Sequence, residues 1–187
     1  MSDSSKLLVK KYYENNSLEL LKEMIDIRKV NSISKDPKYK KIYAEGDPFP
    51  HICFKGLWEE EFLKSISNEF RTFENWETHS MSAGFEKRAC NSFFKFPNKT
   101  AKLIDFCNSF IFIRFLENLT GISGLIPDPY LLGGGMHSTL NNGFLKLHTD
   151  FNWHPNLKLY RRINLLIFLN KNWESDWGGR FITSQKK

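Results

Sequence analysis

A histidine and an aspartate stand two residues apart in the run Phe144-Leu145-Lys146-Leu147-His148-Thr149-Asp150-Phe151. In a strand, side chains two apart share a face, so His148 and Asp150 would point the same way. An imidazole nitrogen and a carboxylate oxygen so placed are two of the three donors of a 2-His-1-carboxylate triad. That triad holds Fe(II) and leaves further positions open. The pair alone is unspecific. With 5 His and 8 Asp in 187 residues, about 0.2 His-x-Asp pairs arise by chance. A strand-end His beside a turn Asp is the competing structural reading.

The elements that would position such a pair follow from the hydrophobic pattern. From Ile126 onward, Pro127-Asp128-Pro129 and Gly133-Gly134-Gly135 punctuate the chain and helical periodicity stops. Strands are expected at about 130–139, 143–151, 160–169 and 179–183, with Asn141-Asn142-Gly143 as a hairpin turn, since Asn and Gly tolerate positive φ. Upstream the pattern is helical. Leu18, Leu20, Leu21, Met24, Ile25 and Ile27 include i, i+3 and i+4 spacings suited to one apolar stripe, while the polar stretch 31–41 with Pro37 reads as a linker. His51 to Phe54 reads as a short strand, and Trp58 to Phe70 as a helix whose Glu59-Glu60-Glu61 suit the N-terminal dipole. Pro97-Asn98 opens a helical region that runs with one break to Leu119, and Thr120-Gly121 stops it. Helices first and antiparallel strands afterwards make an α+β chain. Its expected division is a basic helical extension and linker, 1–45, and a main domain, 46–187.

Composition narrows the function classes. Apolar residues make up 41% of the chain, with 17 Phe, which is enough for a buried core and excludes wholesale disorder. No stretch approaches the roughly 20 apolar residues that span a bilayer, and Met1 to Lys6 lacks the order of a secretory signal. No membrane partner and a cytoplasmic location are the expectations. Cys53, Cys90 and Cys107 are too far apart for a Cys-x-x-Cys site and are expected to be plain thiols. The net charge of +6 gathers in Lys6, Lys10, Lys11, Lys22, Arg28, Lys29, Lys35, Lys38, Lys40 and Lys41. Lysines spread over amphipathic helices are solvated faces, and no base-reading motif accompanies them, so no nucleic acid is expected.

Several further pieces surround His148-Thr149-Asp150 in a fixed order: Gly133-Gly134-Gly135-Met136-His137 before it, then Arg161-Arg162-Ile163-Asn164-Leu165-Leu166-Ile167-Phe168-Leu169-Asn170, Trp173 and Gly178-Gly179 after it. This series resembles the iron(II)- and 2-oxoglutarate-dependent dioxygenases, in their prolyl-4-hydroxylase-like branch. The likeness is dense over about 126–180 and thinner back to Pro48-Phe49-Pro50-His51. It implies helices packed on a double-stranded β-helix, a jelly roll with the metal at its mouth. It also implies His148 and Asp150 as metal ligands, and Fe(II), 2-oxoglutarate, O2 and auxiliary ascorbate as cofactor and cosubstrates. The implied reaction oxidises 2-oxoglutarate to succinate and CO2 and hydroxylates a prolyl or other peptidyl group. The partner is then a protein, peptide or small-molecule substrate.

Phase and departures refine the expectation. If Phe168 faces the pocket, Arg162, Asn164 and Leu166 face it too, and the odd positions meet the other layer. Where relatives often carry a cosubstrate-binding tyrosine, this chain has Phe168, which lacks the hydroxyl. Asn164 could supply a polar contact or be a structural Asn satisfied by backbone. The family pattern also has a distal His and a later Arg or Lys for the far carboxylate. No His follows His154, and His154 is expected on a surface loop. His137 would reach the metal only in an unusual register, and His51 and His79 lie far upstream. The chain runs eight residues past Gly179, so the expectation is a truncated frame carrying about half the strands. Such a chain would be inactive or incomplete, with self-association through an open sheet face. A non-catalytic binding or assembly module is the alternative.

Overall fold

Aspartate caps organise the first part of the chain. The computed structural model describes residues 19, 21–78, 87–140, 143 and 148–177. Helix α1, Ile27–Lys35, starts where the Asp26 carboxylate accepts the Lys29 N–H at 3.0 Å. Helix α2, Pro37–Ala44, starts at Asp36, which accepts the Lys38 N–H at 3.0 Å, with Pro37 in the first turn. The stretch 31–41 is therefore helical and not a linker. Proline loses no hydrogen bond at the first helical position, where its N–H would be unpaired anyway, so Pro37 begins a helix here.

Helix α3, Glu60–Thr72, carries Glu60 and Glu61 in its first turn and buries Phe62 and Ile66. Helices α4, Asn98–Cys107, and α5, Phe110–Thr120, follow, separated by Asn108 and Ser109; Gly121 closes α5 in the left-handed conformation at φ 74°. These match the expected helical region with its one break. Glu117 of α5 also holds the turn beyond, accepting the Leu125 N–H at 3.0 Å and the Arg114 guanidinium at 2.6 Å. The Leu125 bond and the Arg114 contact keep its carboxyl below the usual carboxylate range.

Helix α4 has no side-chain cap of its own. Glu69 of α3 supplies one across the gap: it accepts the Lys99 and Thr100 N–H groups at 2.9 and 2.8 Å and the Thr100 hydroxyl at 2.7 Å. A carboxylate at these unpaired donors also meets the positive end of the helix dipole. Glu69→Ala is expected to cost about 1–2 kcal/mol, the upper range of a lost cap. Urea unfolding measures it, and a cost under about 0.5 kcal/mol would deny that Glu69 holds α4.

The helices close one apolar core. Met24, Ile25, Ile33, Leu57, Phe62, Ile66, Leu103, Phe112, Phe115, Leu116 and Leu119 are buried in it together. The 24–26 segment also pairs antiparallel with 57–59, through Asp26 N–H to Leu57 O (3.1 Å) and Glu59 N–H to Met24 O (3.0 Å). His51–Phe54, expected as a strand, has no regular strand structure. Instead Ile52 and Phe54 turn inward onto the helical core.

Three short strands form an antiparallel sheet in the order β1–β2–β3: β1 is Glu77–Thr78, β2 is Lys87–Cys90 and β3 is Met136–Thr139. Cys90 pairs with Met136, and both are buried with Phe73 and Phe96 in a second cluster. Gly135 makes the approach possible. Its φ is +90°, and a Cβ there would lie 2.3 Å from the Cys90 carbonyl oxygen. A separate hairpin pairs β4, Trp153–His154, with β5, Leu159–Tyr160. The chain is thus a mixture of helices and small antiparallel sheets. The strand expected at 130–139 shrinks to β3, and of that expected at 160–169 only Tyr160, the end of β5, is in a strand, residues 161–169 having no regular secondary structure. Of the strand expected at 143–151, residues 148–151 have no regular secondary structure, while Phe144, Leu145 and Leu147 lie outside the described residues. The strand at 179–183, Asn141-Asn142 and His79 lie outside them as well.

After β5 the chain crosses the helical layer. Ile163, Ile167 and Leu169 pack against the core, whereas Arg162, Asn164, Leu166 and Phe168 face outward. The alternation is the one expected, but its even positions, expected to face a pocket, are exposed. Leu165 departs from it, being exposed. No helix among the described residues is long and apolar enough to cross a membrane.

Candidate metal site

The β4–β5 hairpin positions the residues that matter. Lys158 adopts φ 54° and its N–H reaches the His154 carbonyl at 2.8 Å, closing the loop between the strands. One step beyond the paired residues, the Arg161 N–H donates to the Asn152 carbonyl at 2.8 Å. The chain before β4 and the chain after β5 therefore leave the hairpin side by side. Asp150 lies on one arm, with Arg161 and Asn164 on the other.

Around Asp150 the geometry is divided. Its Oδ1 lies 3.4 Å from His148 Nε2. Its Oδ2 lies 3.2 Å from Arg161 Nη1 and accepts from Asn164 Nδ2 at 3.3 Å. His148 and Asp150 are half-exposed, at 49% and 48% of the side chain. The Arg161 guanidinium stacks over the Phe151 ring at 4.8 Å. A Cβ on Gly133 would come within 2.9 Å of that ring, so the glycine loop before β3 packs directly on Phe151.

The two donors fit a shared cation. Ligand atoms about 2.1 Å from one ion and at right angles lie about 3.0 Å apart. A separation of 3.4 Å between His148 Nε2 and Asp150 Oδ1 needs only a small adjustment. The hydrogen bond from Asn164 also fixes the outer oxygen of the carboxylate, as partners of metal ligands commonly do. Among the described residues, no third His, Cys, Asp or Glu joins them in a metal-sized cluster. Of the other expected residues, Phe168 is outward and 66% exposed. His137 sits on β3 with Nε2 at 3.1 Å from the Gly134 carbonyl.

His154 corrects a sequence expectation. It is buried, at 5% exposure, and not on a surface loop. Its Nδ1 accepts the Leu157 N–H at 3.1 Å, and its Nε2 lies 3.2 Å from Asp128 Oδ1. That Nε2 contact is poorly aligned and makes no full hydrogen bond. Asp128 in turn accepts the Tyr130 and Leu132 N–H groups at 2.9 and 2.8 Å. His154 is thus buried between the hairpin and the Pro127–Tyr130 loop, its ring 5.7 Å from that of Tyr130, a placement that its position four residues after Asp150 does not reveal. An open cavity of about 520 Å³ lies elsewhere, lined by Glu45, Asp47, His51 and Cys53, and involves neither His148 nor Asp150.

Arg161 is the residue that sequence reasoning missed. The period-2 phase sent Arg162 towards the pocket and Arg161 away. The hairpin pairing of Arg161 with Asn152 turns it to Asp150 instead. No family model, curated protein or solved structure matches this chain at a significant level.

Proposed function

We propose that the chain carries metal ligands of an iron(II)- and 2-oxoglutarate-dependent dioxygenase, with His148 and Asp150 as ligands to a divalent cation. The observation behind this reading is the convergence of His148 Nε2 and Asp150 Oδ1 to 3.4 Å. The sequence series around the pair supports it. On this reading the extended segments around the pair belong to a double-stranded β-helix, with the helices as its outer layer. The bound iron would supply O2 chemistry, coupling oxidation of 2-oxoglutarate to hydroxylation of a peptidyl or small-molecule substrate.

The chain's own residues have narrower tasks. His148 offers an imidazole nitrogen and Asp150 a carboxylate oxygen to the same point, and the Asn164 hydrogen bond holds the carboxylate's other oxygen. Both side chains are about half exposed, which leaves room for a cosubstrate. With no third donor among the described residues, most of the coordination sphere is left to water, so binding is expected to be weak. Phe168 brings no hydroxyl to a cosubstrate.

A second reading, a non-catalytic binding or assembly module, is favoured by the outward apolar residues Leu166, Phe168, Trp173 and Trp177, all exposed. Anaerobic equilibrium dialysis against Fe(II) and 2-oxoglutarate, followed by admission of O2, separates the two. The expected result is weak Fe(II) retention, stronger with 2-oxoglutarate present, and succinate release no faster than free iron gives. Retention unaffected by 2-oxoglutarate leaves the module reading. Succinate release that requires both His148 and Asp150 would show that other residues complete the site.

A further inference from the structure

The open cavity of about 520 Å³ lies apart from His148 and Asp150 and has a chemistry of its own. Its walls come from two pieces of chain joined by a tight loop. Ile42 and Glu45 stand three apart at the end of α2, so they share one side of that helix. Past the loop, His51 and Ile52 supply the other lining, and Ile52 also leans on the helical core. Gly46 lets the loop close, because a Cβ there would lie 2.7 Å from both the N and the O of His51. The His51 ring is held in turn: its Nδ1 donates to the Phe49 carbonyl at 2.9 Å, and its edge meets the Phe49 ring. A carbonyl only accepts, so Nε2 is the nitrogen through which the ring can accept. We infer that this cavity binds a small organic cation, a primary ammonium or guanidinium carried on an aliphatic body.

Three features give the cavity one sign. Its lining holds two carboxylates, Glu45 and Asp47, and no Lys or Arg, although the whole chain carries a net charge of +6. Helix α2 ends at Ala44, so the negative end of its dipole lies at Glu45 and Gly46. His51 adds an acceptor. Lys41 approaches Glu45 at 3.8 Å, but both side chains are mostly exposed, and so loose a pair gives way readily to a ligand. The spread of the acceptors selects a molecule over a metal ion. Among the described residues, no three His, Cys, Asp or Glu side chains converge as metal ligands, whereas acceptors set around a cavity of this volume suit an N–H-bearing ligand. Ile42, about half exposed, and Ile52 offer carbon surface to its alkyl part. The site is independent of metal binding at His148 and Asp150.

Agmatine, a guanidinium and an ammonium on one short alkyl chain, is the first probe, with butanol as the uncharged control. A capped Gly-Arg-Gly peptide is the second probe, and asks whether the cation arrives on a protein. Each is titrated into the full chain without metal and followed through assigned amide shifts. Agmatine is expected to give saturating shifts centred on residues 42–53 and to bind about tenfold more tightly than butanol, the worth of one charge-assisted contact. Asp47→Asn and Glu45→Gln should each weaken it about two- to fivefold, as befits exposed ion pairs, while His148→Ala leaves it unchanged. Both carboxylates are exposed, and thermal unfolding of each variant checks that the fold is kept. Tighter binding of the peptide keeps the cation chemistry and assigns it to a partner's side chain; tighter binding of agmatine assigns it to a free amine. Glu59, Glu60 and Glu61 are the internal control for unspecific attraction of cations. Agmatine shifts as large there as at 42–53 overturn the inference, as does an affinity matched by butanol or unchanged in both carboxylate variants.

Discussion

Phe112→Ala is expected to destabilise the chain by about 3–5 kcal/mol, the cost of emptying an aromatic site in a packed core. Phe112 is 1% exposed. Its ring stacks on Trp58 at 5.8 Å and meets Phe106 and Phe115 at 5.4 Å each. These neighbours come from the 57–59 segment, α4 and α5 itself, so a void there cannot close by moving one side chain. A whole domain holds about 5–15 kcal/mol, and the substitution would remove a large share. The effect should reach the candidate site, because Ile163, Ile167 and Leu169 lean on the same core and the 161–169 segment carries Arg161 and Asn164. Urea unfolding with Phe94→Ala as the control is the measurement. Phe94 is 98% exposed, and its replacement should stay within about 0.5 kcal/mol. A cost below about 1 kcal/mol for Phe112→Ala would mean that the helical core is not the scaffold described.

The helical half was legible because its signals are local. The acidic run at Glu59–Glu61, the opening at Pro97-Asn98 and the stop at Thr120-Gly121 each mark a helix end that the structure has, although the first N–H groups of α4 are capped by the distant Glu69. Pro37 misled because proline ends a helix in its interior but starts one after a capping Asp. Strands β1 and β2 left no readable signal. Lys87-Arg88-Ala89-Cys90 buries its last two residues in succession, so it lacks the alternation that marks a half-buried strand. Cross-strand pairing decides the rest. That His148 and Asp150 share a side could be read from their spacing, although residues 148–150 have no regular strand structure. That Arg161 joins them could not, since it depends on how Asn152 and Arg161 meet across the hairpin. His154 was opaque for the same reason: its burial depends on Asp128, which lies 26 residues earlier.

His148→Ala should remove divalent-metal binding, since it leaves Asp150 as the lone protein donor in a half-exposed position where water competes well. Because His148 is 49% exposed, the substitution should leave stability within about 0.5 kcal/mol, so lost binding is not lost fold. The most direct measurement is a Mn(II) titration of the full chain followed by paramagnetic broadening of assigned amide signals. The account predicts broadening centred on His148, Asp150, Arg161 and Asn164, absent at the same Mn(II) concentration in His148→Ala. Broadening centred instead on Glu45, Asp47 and His51, and unchanged in that variant, would contradict it.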